Sequence, residues 1–125
     1  KVMQVKTLPA GYPVGYYATY TTPSDTEVAI ISCGYTDGYL RHLGNKGHVL
    51  IGGRRRRVVG RVSMNWIAAE LERDSGVKAG DEVVLIGEQG GEQIWADELA
   101  AHCGTIAYEI LTGISRQIER RYIRA

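Results

Sequence analysis

The sequence predicts a mainly β fold: a compact barrel- or sandwich-like domain of short strands, with two short helices near the C-terminus. Three observations carry that expectation. Short β-prone stretches recur along most of the chain, each bounded by turn residues. Sixteen glycines among 125 residues allow sharp turns at close spacing. Helical patterning enters only near the C-terminus, from about Ala96. The length suits one domain, residues 1–125, since domains commonly run about 100–150 residues. The hydrophobic fraction of 44% is enough to fill a core.

Taken in order, Val2 to Leu8 is β-prone. Val14 to Thr22 alternates, with Val14, Tyr16, Ala18 and Tyr20 on one face and Gly15, Tyr17, Thr19 and Thr21 on the other. Glu27 to Cys33 is a short apolar run, the pattern of a buried strand. His48 to Ile51, then Gly52-Gly53, then Arg54 to Val59 is a hairpin signature, because paired glycines tolerate the positive φ of a two-residue turn. Arg61 to Ala68 and Glu82 to Ile86 read as further strands, the second fed by a turn at Val77 to Asp81. Ala96 to His102 predicts a helix, with Asp97 and Glu98 near its positive N-terminus. Thr105 is placed to cap a second helix, Ile106 to Thr112, with Gly113 as its stop. Gln117 to Ile123 returns to strand. Lys1 to Thr7 starts inside a strand without an initiator Met, as a domain cut from a longer protein would.

The net charge of +1 gives no electrostatic case for a nucleic-acid or membrane partner. No apolar run approaches the ~18 residues of a membrane span, and there is no signal-peptide pattern. Cys33 and Cys103 form neither CxxC nor metal spacing and read as free thiols in a reducing cytoplasm. His42, His48 and His102 show no ligand spacing, so no metal is expected.

Single segments are weak signals. Gly34-Tyr-Thr-Asp-Gly-Tyr-Leu-Arg41 reads alone as an ordinary turn-rich loop, and it lacks the spacing of a phosphate loop. The four arginines at 54–57 read as a solvated strand suited to protecting a sheet edge, or as a surface for an acidic subunit or a neighbouring domain. In Gly60-Arg-Val-Ser-Met-Asn-Trp66, Met64 reads as core filler. The alternative is a backbone N–H at position 64 offered to a carboxylate. Tyr16, Tyr35 and Tyr108 are ordinary one by one, and an unperturbed phenol, with pKa near 10, is a poor base at neutral pH.

Together and in order, five segments resemble the alanine racemase family. They are Leu8-Pro-Ala-Gly-Tyr-Pro-Val-Gly-Tyr-Tyr-Ala-Thr-Tyr20; Gly34 to Arg41; Val49-Leu-Ile-Gly-Gly53 through Val58-Val-Gly-Arg-Val-Ser-Met64; Asp97-Glu-Leu-Ala100; and Gly104-Thr-Ile-Ala-Tyr-Glu-Ile-Leu-Thr-Gly-Ile-Ser-Arg116. The resemblance covers essentially the whole chain and is to the family's C-terminal β-domain. It implies a bacterial, cytoplasmic homodimer that interconverts L- and D-alanine on pyridoxal 5'-phosphate and supplies D-alanine for peptidoglycan. It implies that a lysine of a separate N-terminal barrel carries the cofactor, so the isolated chain is expected to be inactive. By position, Tyr16 matches the tyrosine base that serves a second subunit's site. Met64 matches the residue whose backbone N–H binds the substrate carboxylate, Tyr35 an entryway residue, and Tyr108 a residue that reaches the cofactor phosphate. Tyr108's expected place in the first turn of a helix suits a group near an anion.

The sequence departs from the family's usual residues at Tyr17, Arg57, Asn65 and Glu119. None of these removes a chemical group assigned above, but they bear on substrate preference. A serine or broad-specificity racemase of the same family is therefore a second expectation. A third is a non-catalytic interaction or dimerisation module.

Overall fold

The computed structural model describes residues 1–15 and 19–123. Ten strands and two helices follow in order: β1 (Val2–Leu8), β2 (Pro13–Val14), β3 (Tyr20–Thr21), β4 (Thr26–Ile31), β5 (His48–Ile51), β6 (Arg54–Val59), β7 (Ile67–Leu71), β8 (Val83–Val84), β9 (Gly87–Gln89), β10 (Glu92–Ile94), α1 (Ala96–Cys103) and α2 (Ala107–Thr112). The main sheet is antiparallel with order β1-β4-β7-β6-β5-β8. It does not close into a barrel. Its two edges approach at one end, where the Val2 N–H donates to Asp81 O at 2.9 Å and the Gly80 N–H to Val2 O at 2.8 Å. The mainly β expectation is met in its sandwich-like form.

The period-2 alternation of the central strands explains why the sheet is buried on both faces. Ala29 and Ile31 of β4, Val58 of β6, and Ile67, Ala69 and Leu71 of β7 enter the larger core with Ile94 and Leu99. The intervening Val28, Val59 and Ala68 face a smaller core with Leu8 and Val14. Strands buried on both sides read as continuous apolar runs, which is how Glu27 to Cys33 stood out.

The Gly52-Gly53 turn joins β5 to β6 with φ of 62° and 73°, as the sequence predicted. A second Gly-Gly turn, at 90–91, joins β9 to β10 and packs on the first. A Cβ at Gly90 would lie 2.6 Å from Gly53 Cα, so only glycine fits there.

Several expected strands shrink. Between Val14 and Thr22 only β2 and β3 pair, two residues each, and the catalytic candidate Tyr16 and its neighbour Tyr17 lie outside the described residues. The strand expected from Arg61 starts only at Ile67. Gly60 ends β6 at φ +78°, and the Ser63 N–H turns back onto Trp66 O. Of Glu82 to Ile86 only β8 forms a ladder. Gln117 to Ile123 forms no strand. The Ile118 N–H turns back to Ser115 O, and the Arg120 guanidinium donates to the carbonyls of Ile114, Ser115 and Ile118. Both helices form where predicted, but Ile106, not Thr105, is the N-cap of α2. The Thr105 hydroxyl instead donates to the Glu109 carboxylate at 2.8 Å.

The arginine tract is solvated at Arg54, Arg55 and Arg57, as expected, but it is not an edge. β6 lies inside the sheet between β7 and β5. The Arg56 side chain is only 5% exposed, where it pairs with Glu72 and donates from Nε to Ile51 O at 3.2 Å. Arg54 shares Glu72, Arg55 pairs with Glu98, and Arg57 lies over the Tyr20 ring. The tract therefore clamps the sheet to its own carboxylates.

Glu72's carboxyl is held below its ordinary 4.5 by a hydrogen bond from its own backbone N–H and by the Arg56 and Arg54 guanidiniums. A depressed folded pKa adds stability above the unfolded value, and that increment is lost as pH falls through the folded value. Glu72→Gln is expected to cost about 1–2 kcal/mol at neutral pH, below the full value of a buried pair because the Glu72 side chain is 45% exposed. Urea melts should show the difference from wild type closing as pH drops below 4.5.

Candidate functional site

The loop after β4 and the loop after β6 are held together by backbone. Gly34 opens a short 3-10 turn, Tyr35–Asp37, whose Asp37 carboxylate accepts the Gly34 N–H at 2.9 Å. A Cβ at Gly34 would lie 2.3 Å from both Ser63 O and Met64 O. This contact lets the Tyr35 N–H donate to Ser63 O at 3.1 Å and the Thr36 N–H to Met64 O at 3.2 Å. The Thr36 hydroxyl sits 2.9 Å from Met64 O and 3.0 Å from Asn65 Oδ1. Tyr35 and Met64, far apart in sequence, thus sit on adjoining loops.

Met64 is not core filler: its side chain is 53% exposed. Its carbonyl is used twice by Thr36, while among the described residues nothing accepts its N–H. The neighbouring Ser63 hydroxyl is buried, also without a partner among the described residues.

A third element is tied to the same turn. Gly38 adopts φ +105° and lies so close to α2's end that a Cβ would meet Gly113 O at 2.5 Å. The Ser115 N–H donates to Asp37 O at 3.1 Å. α2 buries Ile110 and exposes Tyr108 and Leu111, beside its exposed N-cap Ile106. Tyr108, 77% exposed, stands in the first turn, roughly 8 Å of helix rise from the Gly38 contact.

Gly15 and Thr19 flank residues 16–18, which lie outside the described residues. Gly15 and Gly60, both at φ +78°, meet backbone to backbone: a Cβ at Gly60 would lie 2.9 Å from Val14 O, and one at Gly15 3.1 Å from the Arg61 N. On the other side, Asn45 Nδ2 donates to Thr19 Oγ1 at 3.1 Å while Asn45 Oδ1 accepts the Gly60 N–H at 2.7 Å. Gly15 and Thr19 are therefore both tied to the backbone that leads on to Met64. Thr36 and Asn45 went unrecognised in the sequence. A signal existed for Asn45, since asparagine tolerates left-handed backbone and here has φ +60°.

A cavity of about 500 Å³ lies between β8, α1 and α2, lined by Cys33, Tyr39, Leu43, Val84, Leu99 and Ile110 among others. Nothing in it is poised to react. Burial, then the Asp37 charge, pushes the Cys33 thiol up to about 11, and burial also raises the Tyr39 hydroxyl. A thiol that stays protonated at neutral pH is a weak nucleophile. Among the described residues no group of three His, Cys, Asp or Glu side chains is placed to hold a metal, and no helix is long and apolar enough to cross a membrane. Cys33 and Cys103 are free thiols. Lys1, Lys6, Lys46 and Lys78 are all exposed.

The fold and its loop cluster define a β-domain that brings Tyr35 and the Met64 backbone N–H onto adjoining loops, beside the helix that carries Tyr108. The model of the alanine racemase C-terminal domain matches residues 1–122. An alanine racemase from Symbiobacterium thermophilum is 50% identical over 122 residues, 98% of this chain and 32% of that protein. One from Carboxydothermus hydrogenoformans is 46% identical over 98% of this chain and 33% of its own length. The crystal structure of the Bacillus anthracis alanine racemase with bound L-Ala-P superposes with a TM-score of 0.93 at 41% identity, covering 99% of this chain and 31% of that one. That of Bartonella henselae, with covalently bound pyridoxal phosphate, gives 0.88 at 36% identity, covering 98% and 33%. This chain belongs to the alanine racemase C-terminal domain family. It spans about a third of the length of the curated relatives it matches.

Proposed function

We propose that this domain is the base-bearing part of a pyridoxal-phosphate-dependent alanine racemase, with Tyr16 as the base on the L-face and the Met64 N–H as a contact for the substrate carboxylate. The carrying observation is the Met64 N–H, without an acceptor among the described residues, on the same loop backbone that anchors both flanks of Tyr16. A racemase needs that pair of functions close together. One group holds the carboxylate so that Cα is fixed, and another takes or returns the Cα proton from one side. A backbone donor suits the first task because it is rigid and keeps its charge state. A phenolate suits the second if cations from the rest of the protein stabilise it.

Pyridoxal phosphate, when bound, would act as the sink for negative charge developing at Cα. The residues of this chain fit a supporting place beside that group. The Tyr108 hydroxyl, projecting from the first turn of α2, would reach its phosphate, and Tyr35 would line the entryway. None of the four exposed lysines fits as its covalent carrier, which is assigned to a barrel N-terminal to this domain. With the carrier on one subunit and Tyr16 on the other, the enzyme would be a homodimer in the bacterial cytoplasm, supplying D-alanine to peptidoglycan.

The test is racemisation by the full-length protein, supplied with pyridoxal phosphate, on L-alanine and L-serine. We expect kcat/KM for alanine to exceed that for serine at least about tenfold, since a pocket shaped for methyl discriminates by about 1–3 kcal/mol. Preference for serine would move the assignment to the broader racemases of the same family. Racemisation of neither would remove it.

A further inference from the structure

We propose that Asn45 is a positioning residue for racemisation, tying Thr19, which follows the segment bearing Tyr16, to Gly60, which opens the loop bearing the Met64 N–H. The inference rests on the roles given above to those two residues. Its own basis is a pair of hydrogen bonds made by one side chain. Asn45 Oδ1 accepts the Gly60 N–H at 2.7 Å, and Nδ2 donates to Thr19 Oγ1 at 3.1 Å. The amide can face only this way, because the Gly60 N–H requires an acceptor. Gly60 begins the loop that carries Met64, and Thr19 ends the segment that carries Tyr16. Gly15, at the start of that segment, already rests on the Gly60-Arg61 backbone. Asn45 therefore closes a clamp with one jaw on each functional loop. Its backbone, at φ +60°, lies in the region that favours glycine and, among residues with side chains, asparagine and aspartate.

Such a clamp acts on turnover more than on affinity, because proton transfer is steeply sensitive to the position of the base. Asn45→Gly in the full-length enzyme keeps the left-handed backbone and removes both bonds. We expect kcat to fall about 10- to 100-fold with KM little changed. The primary isotope effect should rise with α-deuterated L-alanine, whose proton Tyr16 removes, and should not rise with α-deuterated D-alanine. Asn45→Asp should recover most of the activity. Its carboxylate accepts the Gly60 N–H with one oxygen and the Thr19 hydroxyl with the other. Thr19→Val, which breaks only the more exposed bond, should fall between and leaves the fold least disturbed.

Wild-type kcat and isotope effects in both Asn45→Gly and Thr19→Val, with Tyr16→Phe disabled, would overturn the positioning role alone. A lowered kcat without the L-specific isotope change would also overturn it, as a merely structural effect. A fully active Tyr16→Phe would instead remove the base assignment, and this proposal with it.

Discussion

Replacing Tyr16 with Phe in the full-length enzyme is expected to cut alanine racemisation by about 10²–10⁴-fold, the range for losing a positioned general base. The substitution keeps the ring and removes only the hydroxyl, so packing should be nearly unchanged. Substrate binding should survive, because the proposed carboxylate contact is a backbone N–H that the substitution does not touch. The loss should therefore appear in kcat rather than KM. It should be equal for kcat/KM in the two directions, since the equilibrium between enantiomers fixes their ratio. A coupled assay for each enantiomer measures both. Undiminished turnover in either direction would remove Tyr16 from the mechanism.

Gly34→Ala is expected to damage the domain and its chemistry together. The added Cβ would lie 2.3 Å from Ser63 O and from Met64 O, and both obstacles are backbone. No flexible side chain can move aside, so the two loops must part. Parting them breaks the Tyr35 and Thr36 N–H bonds to those same carbonyls. We expect a loss of about 3 kcal/mol, at the upper end for overpacking, read from the urea midpoint of the isolated domain. In the full-length enzyme, racemisation should fall under conditions where the protein remains folded, because the Met64 N–H moves with its carbonyl. An unshifted midpoint would show that the loops are not in contact.

These two experiments probe opposite ends of what the sequence could reveal. Turn chemistry was legible: the Gly52-Gly53 hairpin and both helices formed where local signals put them. The second Gly-Gly hairpin carried the same signal at 90–91, but its three-residue strands are too short for a clear alternation. Apolar patterning overextended the strand at Arg61 to Ala68, because it cannot register that Gly60 turns left-handed and breaks the ladder. It also misjudged the arginines. Charge in a strand suggests an edge, yet Arg56 is buried because Glu72, on the next strand connection, pairs with it. The site was legible only as five ordered segments resembling a family. That Gly34 touches Ser63, that Gly38 touches Gly113, and that Asn45 bridges Thr19 to Gly60 are tertiary facts with no local signature.

The account turns on a proton being taken from one face of Cα and returned to the other by a different group. Incubating the full-length enzyme with L-alanine in heavy water, and following deuterium at Cα early in the reaction, tests this directly. The D-alanine formed should carry deuterium while the remaining L-alanine stays protiated, because the proton that Tyr16 removes is not the one its opposite number returns. D-alanine that retains the original hydrogen would point to a single base serving both faces. The absence of D-alanine would contradict the racemase reading altogether.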